Sequence, residues 1–243
     1  MYKYKKKKRK IPPSWVNSYL LYYNGAQPRE QRAWTEPYVQ VAAIDPGEKN
    51  LAIRVERRYY ATSSTPVKLE PILYYDYNVT GQNMAGTLIN IITLLNNINP
   101  QLAGCHVLII ERQLFTKNPD ASRIFQHILT WLLCFVSTST LMPDIYEVDP
   151  IWIKQMMSLV IGKGKGNKTI MPYRVRALFY NYGDIVSWQI LSQTGKKDDK
   201  ADVAAMCESI ARTFGLPYII DPGTFVVWDN LDTIKTWVHL GVR

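Results

Sequence analysis

The 243-residue chain is 47% hydrophobic, enough to bury one substantial core and too much for general disorder. Its net charge of +9 is concentrated: residues 1–10 carry seven basic side chains and no acid, which leaves +2 for the rest and excludes a body that is basic throughout. Three widely spaced cysteines, Cys105, Cys134 and Cys207, exclude a zinc site or disulfide framework and read as buried thiols of a reducing, intracellular compartment.

Residues 1–38 read as a basic N-terminal arm. The tail KYKKKKRK suits a nuclear address, a solubilising end or a grip on phosphate backbones; the grip, preferred here, adds affinity without sequence preference. Pro12 and Pro13 follow where a secretory signal would be apolar, so none is expected. The aromatic patch Trp15, Tyr19, Tyr22 and Tyr23 predicts one short docked helix rather than a base-stacking platform.

Val39 to Arg57 is an apolar run that ends in Asp45, turns through Pro46 and Gly47, and returns with Leu51, Ile53 and Val55 alternating. This predicts two antiparallel strands, with a third around Ile72 to Tyr77. From Gly81 the period changes: Leu88, Ile91, Ile92 and Leu95 mark an amphipathic helix that stops before Pro100. His106 to Ile110 is a continuous apolar strand, covered on both faces and ending in Glu111. The helix at roughly 120–137 is apolar all round, with Ile124, Ile128, Trp131, Leu132 and Phe135 on one side and Phe125, Leu129, Leu133 and Val136 on the other. Gln126, His127 and several Ser and Thr interrupt the run from Phe125 to Met142, so no membrane span is expected.

A strand at Asp144 to Val148, a helix from Ile151 to about Val160, a basic loop GKGKGNK, and helices near Thr169 to Tyr182 and 198–214 follow. Beyond Gly215 the pattern predicts a short strand, Thr224 to Trp228, and a last helix from about Leu231. GKGKGNKT is not a P-loop, because Asn167 replaces the second glycine and no strand precedes it. It reads instead as a mobile loop with Lys163, Lys165 and Lys168 as contacts for DNA phosphates, or as a solvated loop. His106, His127 and His239 share no ligand spacing and read as packing or surface residues. The order of elements fits a mixed α/β sheet flanked by helices.

The acids recur at element ends. Asp45 and Glu111 each terminate a strand, and Asp199 and Asp202, three apart, share the face of a helix continued by Val203, Met206, Ile210 and Phe214. Asp198 points about 100° away from Asp199. Asp-Pro-Gly alone is ordinary turn chemistry, as its second copy at Asp221 to Gly223 shows. Four converging carboxylates repel unless they bind hard cations, which suits Mg²⁺ or Mn²⁺. Two such ions about 4 Å apart activate a water and stabilise the leaving oxygen in phosphodiester cleavage.

The segments AAIDPGEKNLAI, LIIERQLFTKNPDAS, VDPIWIK and KKDDKADVAAM resemble, in order, the four signature blocks of RuvC-type Holliday-junction resolvases of the ribonuclease-H-like superfamily. The I-E-R-Q form of the second block resembles the poxvirus and other large DNA virus members. The resemblance covers about residues 39–214 and implies a ribonuclease-H-like nuclease domain there, with 215–243 as a C-terminal extension. It implies that Asp45, Glu111, Asp199 and Asp202 hold two Mg²⁺ or Mn²⁺ ions, that Lys154 lies near the scissile phosphate, and that Lys117 and Asn118 face DNA. The bacterial members carry a phenylalanine wedge three residues after the glutamate; here that position is Leu114, and Phe115 comes one later.

The activity implied is resolution of four-way DNA junctions by paired symmetric cuts, in the nucleus or at a viral replication site. The alternatives are a related nuclease acting on structured RNA or other branched DNA, and a junction-binding scaffold without catalysis. Two symmetric cuts need two active sites, so a homodimer is expected, with the helix at 120–137 as its interface.

Overall fold

The computed structural model describes residues 20–22, 36–113, 118–136, 143–157, 166–193 and 198–218. A six-stranded mixed sheet is built from β1 (Leu20–Tyr22), β2 (Tyr38–Pro46), β3 (Asn50–Tyr59), β4 (Lys68–Asn78), β5 (Val107–Glu111) and β6 (Asp144–Val148), in the order β1-β6-β5-β2-β3-β4. β2, β3 and β4 form an antiparallel meander, β2, β5 and β6 run parallel, and β1 closes the edge antiparallel to β6. The described helices are α1 (Met84–Asn97), α2 (Asn99–Ala103), α3 (Pro119–Trp131), α4 (Pro150–Met156), α5 (Gly166–Tyr182), α6 (Ile185–Ser192) and α7 (Asp198–Phe214). None is long and apolar enough to cross a membrane.

Alternation along the strands sorts the side chains between two helical layers. Val39, Val41 and Ala43 of β2, with Val107 and Ile109 of β5, face α4, α5 and α7. Ala42 and Ile44, with Leu108 and Ile110, face α1 and α3 on the other side. β5 is therefore apolar on both faces because both are covered, as its unbroken sequence predicts. Full burial of an aliphatic side chain in either layer contributes about 1.5–3 kcal/mol, so both layers hold the sheet between them.

Local signals set the ends. The β2–β3 turn needs Gly47, because a Cβ there would sit 2.2 Å from the Asn50 carbonyl oxygen. Asn83 caps α1 by accepting from the Gly86 N–H at 2.9 Å, and the α1 helix stops at Asn97, three residues short of Pro100. Asp149 accepts from the Ile151 N–H at 2.7 Å and so starts α4 directly after β6.

Several sequence expectations are corrected. Leu20–Tyr22 of the arm is a strand on β6 rather than part of a helix; the open edge of β6 offers backbone partners that no local pattern reveals. β4 extends beyond Ile72 to Tyr77 at both ends because it pairs along the whole of β3. α5 begins at Gly166, inside the stretch expected to be a loop, and α6 was not foreseen. α3 ends at Trp131 and passes into a π-helical turn, Leu132–Val136. Nor is α3 apolar all round: Arg123, Gln126 and Thr130 form its exposed strip, and both apolar sides are buried within the chain except for half-buried Leu133 and exposed Phe135. Cys134 is exposed, whereas Cys105 and Cys207 are buried as expected. The strand and helix expected after Gly215 lie outside the described residues.

Candidate metal-binding active site

The parallel register of β2 and β5 pairs Ala43 with Ile109 and Ile44 with Ile110. The next residue on each strand is an acid, so Asp45 and Glu111 stand level at neighbouring strand ends, about 4.8 Å apart in backbone terms. Strand period puts Asp45 on the side of Val41 and Ala43, and Glu111 on the side of Val107 and Ile109. That is the side covered by α7. Two local patterns and one register therefore aim both carboxyls under the same helix, and Glu111 hydrogen-bonds Asp45.

α7 brings the third acid. Asp202 begins the stripe that continues through Met206 and Ile210, both fully buried against the sheet. Lys154 of α4 acts on Glu111 and Asp202 together. Burial, then the Asp45 charge and hydrogen bond, then Asp202, push Glu111 well above the usual carboxylate range, with Lys154 opposing. Burial pushes Asp202 up to about 7, helped by Asp45 and by Asp198 and Asp199, and again opposed by Lys154. Glu111 and Asp202 are thus crowded beside Asp45 in surroundings that disfavour their charged forms.

Asp198 and Asp199, in the first turn of α7, both add to the negative charge felt by Asp202. All the converging donors are carboxylate oxygens, the chemistry that hard divalent cations take. The set fits such an ion in donor type and in its surplus negative charge. Among the described residues, no three His, Cys, Asp or Glu side chains are already drawn into ligating geometry.

Other predicted residues fall differently. Asn118 is exposed and caps α3, accepting from the Ala121 N–H at 3.1 Å, so its side chain serves the helix start. Phe115, Lys117, Lys163 and Lys165 lie outside the described residues, and of Lys168 only its place in α5 is described. His106 is buried in packing, with Nδ1 accepting from the Gln40 N–H at 2.9 Å.

Two features escaped the sequence reading. Asp45 pairs with Ala52, and Ala52 with Asp76 of β4, so Asp76 shares the face and level of Asp45 about 10 Å across the sheet. The signal was an acid at period two from Tyr74, inside the expected strand Ile72 to Tyr77, but only the pairing of β4 through β3 shows that it lies level with Asp45. Behind Glu111, the Arg112 guanidinium donates to Glu147, and the Arg112 N–H donates to the Val148 carbonyl at 2.8 Å. That pair pins the end of β5 to β6.

A mixed sheet in this order, flanked by helices and with acids ending its two central parallel strands, defines the ribonuclease-H-like class. Within that class the fold is similar to that of a solved RuvC. Thermus thermophilus RuvC superposes with a TM-score of 0.50 at 12% identity, over 74% of this chain and 100% of that one. The yeast mitochondrial Holliday junction resolvase gives 0.49 at 17%, over 75% of this chain and 83% of that one. Fowlpox virus resolvase, solved with Holliday junction DNA, gives 0.49 at 19%, over 72% and 99%. No family model matches the chain, and no curated protein matches its sequence.

Proposed function

We propose that this chain is a divalent-metal-dependent endonuclease that resolves four-way DNA junctions by paired symmetric cuts. The observation that carries the reading is the placing of Asp45 and Glu111 on adjacent parallel strand ends, with Asp202 and Lys154 closing over them from two helices. The likeness to the RuvC fold supports it.

Asp45, Glu111 and Asp202, with Asp199 on the same helix, hold two Mg²⁺ or Mn²⁺ ions through carboxylate oxygens. Bound there, the ions supply an activated water and neutralise charge at the leaving oxygen. The protein's part is to bring ionised oxygens together where burial and mutual repulsion would otherwise protonate them, and to bar other ligands with the apolar layer of α7. Lys154 offsets the charge of the scissile phosphate beside Glu111 and Asp202. Two such chains act as a homodimer, one per cut.

The test is cleavage of a synthetic four-way junction with and without Mg²⁺, beside a linear duplex, a flap and an RNA–DNA hybrid. Symmetric nicks that a ligase reseals, made in the junction and absent without metal, are expected. Preferential cutting of the hybrid would transfer the chain to an RNA-directed nuclease, and junction binding without any cutting would make it a scaffold. Sedimentation at the concentrations where paired cuts occur checks the dimer, and a monomer there removes it.

A further inference from the structure

β3 carries a second set of charges on the face that holds Asp45. Ala52 sits opposite Asp45, then Arg54 opposite Ala43, Glu56 opposite Val41 and Arg58 opposite Val39. Arg54, Glu56 and Arg58 are at most 1% exposed, and so is Glu208 of α7. Arg54 donates to Asp184 at 2.9 Å and to Glu56, and lies between the Tyr74 and Phe179 rings, 4.6 and 4.5 Å from their centroids. Arg58 donates to Glu56 at 2.6 Å and to Glu208 at 3.0 Å. Glu208 also accepts from the Tyr182 hydroxyl at 3.0 Å and from Arg212 at 2.7 Å.

Stability does not account for this chain of alternating charges, since replacing buried ion pairs with apolar groups of similar volume is often neutral or stabilising. Position does. α7 lies on the sheet through small or pliant side chains, among them Ala201, Ala204, Ala205, Met206 and Ala211. Such a surface is smooth, and its non-directional contacts change little if the helix turns or slides. A forked guanidinium on a carboxylate is directional and tolerates neither. Glu208 and Asp202 share α7, about 9 Å apart along its axis, so whatever holds the first orients the second. A slip of one turn, about 5.4 Å, would break the Arg58 contact and carry Asp202 away from Asp45.

We propose that the Arg58–Glu208 pair is a positioning device that sets the rotation and register of α7, so that Asp202 meets Asp45 and Glu111 in the geometry a divalent ion needs. The proposal rests on the metal-site reading above. Its test is the Arg58→Met/Glu208→Leu double variant of the full chain, measured by thermal unfolding and by Mn²⁺ titration calorimetry.

The variant leaves Glu56 on Arg54 and takes the Glu208 acceptor from Tyr182 and Arg212. It is expected to melt below the wild type but cooperatively, and to bind Mn²⁺ at least tenfold more weakly at a temperature where it is folded. A folded variant with wild-type Mn²⁺ affinity overturns the proposal and makes the pair a packing element. If the double variant fails to fold, Tyr182→Phe, which removes one hydrogen bond from Glu208, decides. A twofold to fivefold loss of Mn²⁺ affinity without a change in melting supports the proposal, and unchanged affinity overturns it. Failure of the wild type itself to bind Mn²⁺ removes the metal-site reading instead, so the two failures are distinct.

Discussion

One face of one sheet, under one helix, holds two charge clusters that behave in opposite ways. Around Arg54 and Arg58 every charge has a protein partner, and Glu56 is held below the usual carboxylate range: burial would raise it, but Arg58 and Arg54 outweigh burial by their charge and hydrogen bonds. At the strand ends Glu111 and Asp202 are pushed up instead, because burial acts with Asp45 and one lysine does not balance three acids. Burial is common to both clusters, so burial does not separate them. Internal compensation does. A fold whose acids are matched within the protein is using them as structure, and one that crowds buried acids beyond the positive charge around them marks a functional-site candidate.

The sharpest way to break the comparison is Asp45→Asn. On the proposed metal site it removes one of the charges that would hold the ions, and cleavage of a four-way junction is expected to fall on the order of 10³-fold or more, with junction affinity retained in a gel-shift assay. Cleavage at the wild-type rate would place the metal elsewhere.

Glu56→Ala attacks the other cluster. Leaving Arg54 and Arg58 without their shared partner is expected to lower unfolding free energy by about 3–5 kcal/mol, read from urea denaturation. A loss as small as that of a surface pair would mean that water has replaced the carboxylate.

The third prediction concerns pH, where the clusters have opposite signs. Glu56 has a depressed folded pKa, so its contribution is present above the unfolded value of 4.5 and is lost as pH falls through the lower folded one. Asp202 is raised from 3.8 to about 7, so the metal-free fold loses stability as pH climbs through that window. Accordingly Asp202→Asn is expected to stabilise the metal-free chain at pH 8 by roughly 1–3 kcal/mol and to abolish further stabilisation by Mg²⁺. Equal melting of variant and wild type at pH 8 would show that the acids are not in repulsion.

The smallest effect calibrates the rest. Arg123 and Asp120 are 3.3 Å apart on the exposed side of α3, with side chains 61% and 47% exposed. Arg123→Ala is expected to change stability by at most about 0.5 kcal/mol. A larger change would mark this face of α3 as part of an interface.

What was legible follows from what is local. Asp45 and Glu111 could be found because a strand that stops at an acid is visible in a few residues, and the stripe from Asp202 through Met206 to Ile210 needs only the helical period. Leu51, Ile53 and Val55 were legible as the alternating apolar positions of a strand, and all three are buried. Their neighbours Arg54, Glu56 and Arg58 were passed over because charges alternating with apolar residues have the pattern of a solvated face. The clue was their alternating sign, but the partners Asp184 and Glu208 lie 130 and 150 residues from the arginines that they bind.

The sequence by itself therefore determined most of the elements of the central sheet, the two apolar faces of β5 and the acids at the ends, since propensity, periodicity and turn chemistry act within a few residues. Tertiary structure alone decided that Asp45 and Glu111 are neighbours, because their levels depend on the β2–β5 register. It decided that Leu20–Tyr22 is an edge strand and that Asp76 shares the face of Asp45, both consequences of pairing. It also decided that three charges of β3 are buried, because whether an alternating strand meets water or a helix depends on what arrives later in the chain to cover it.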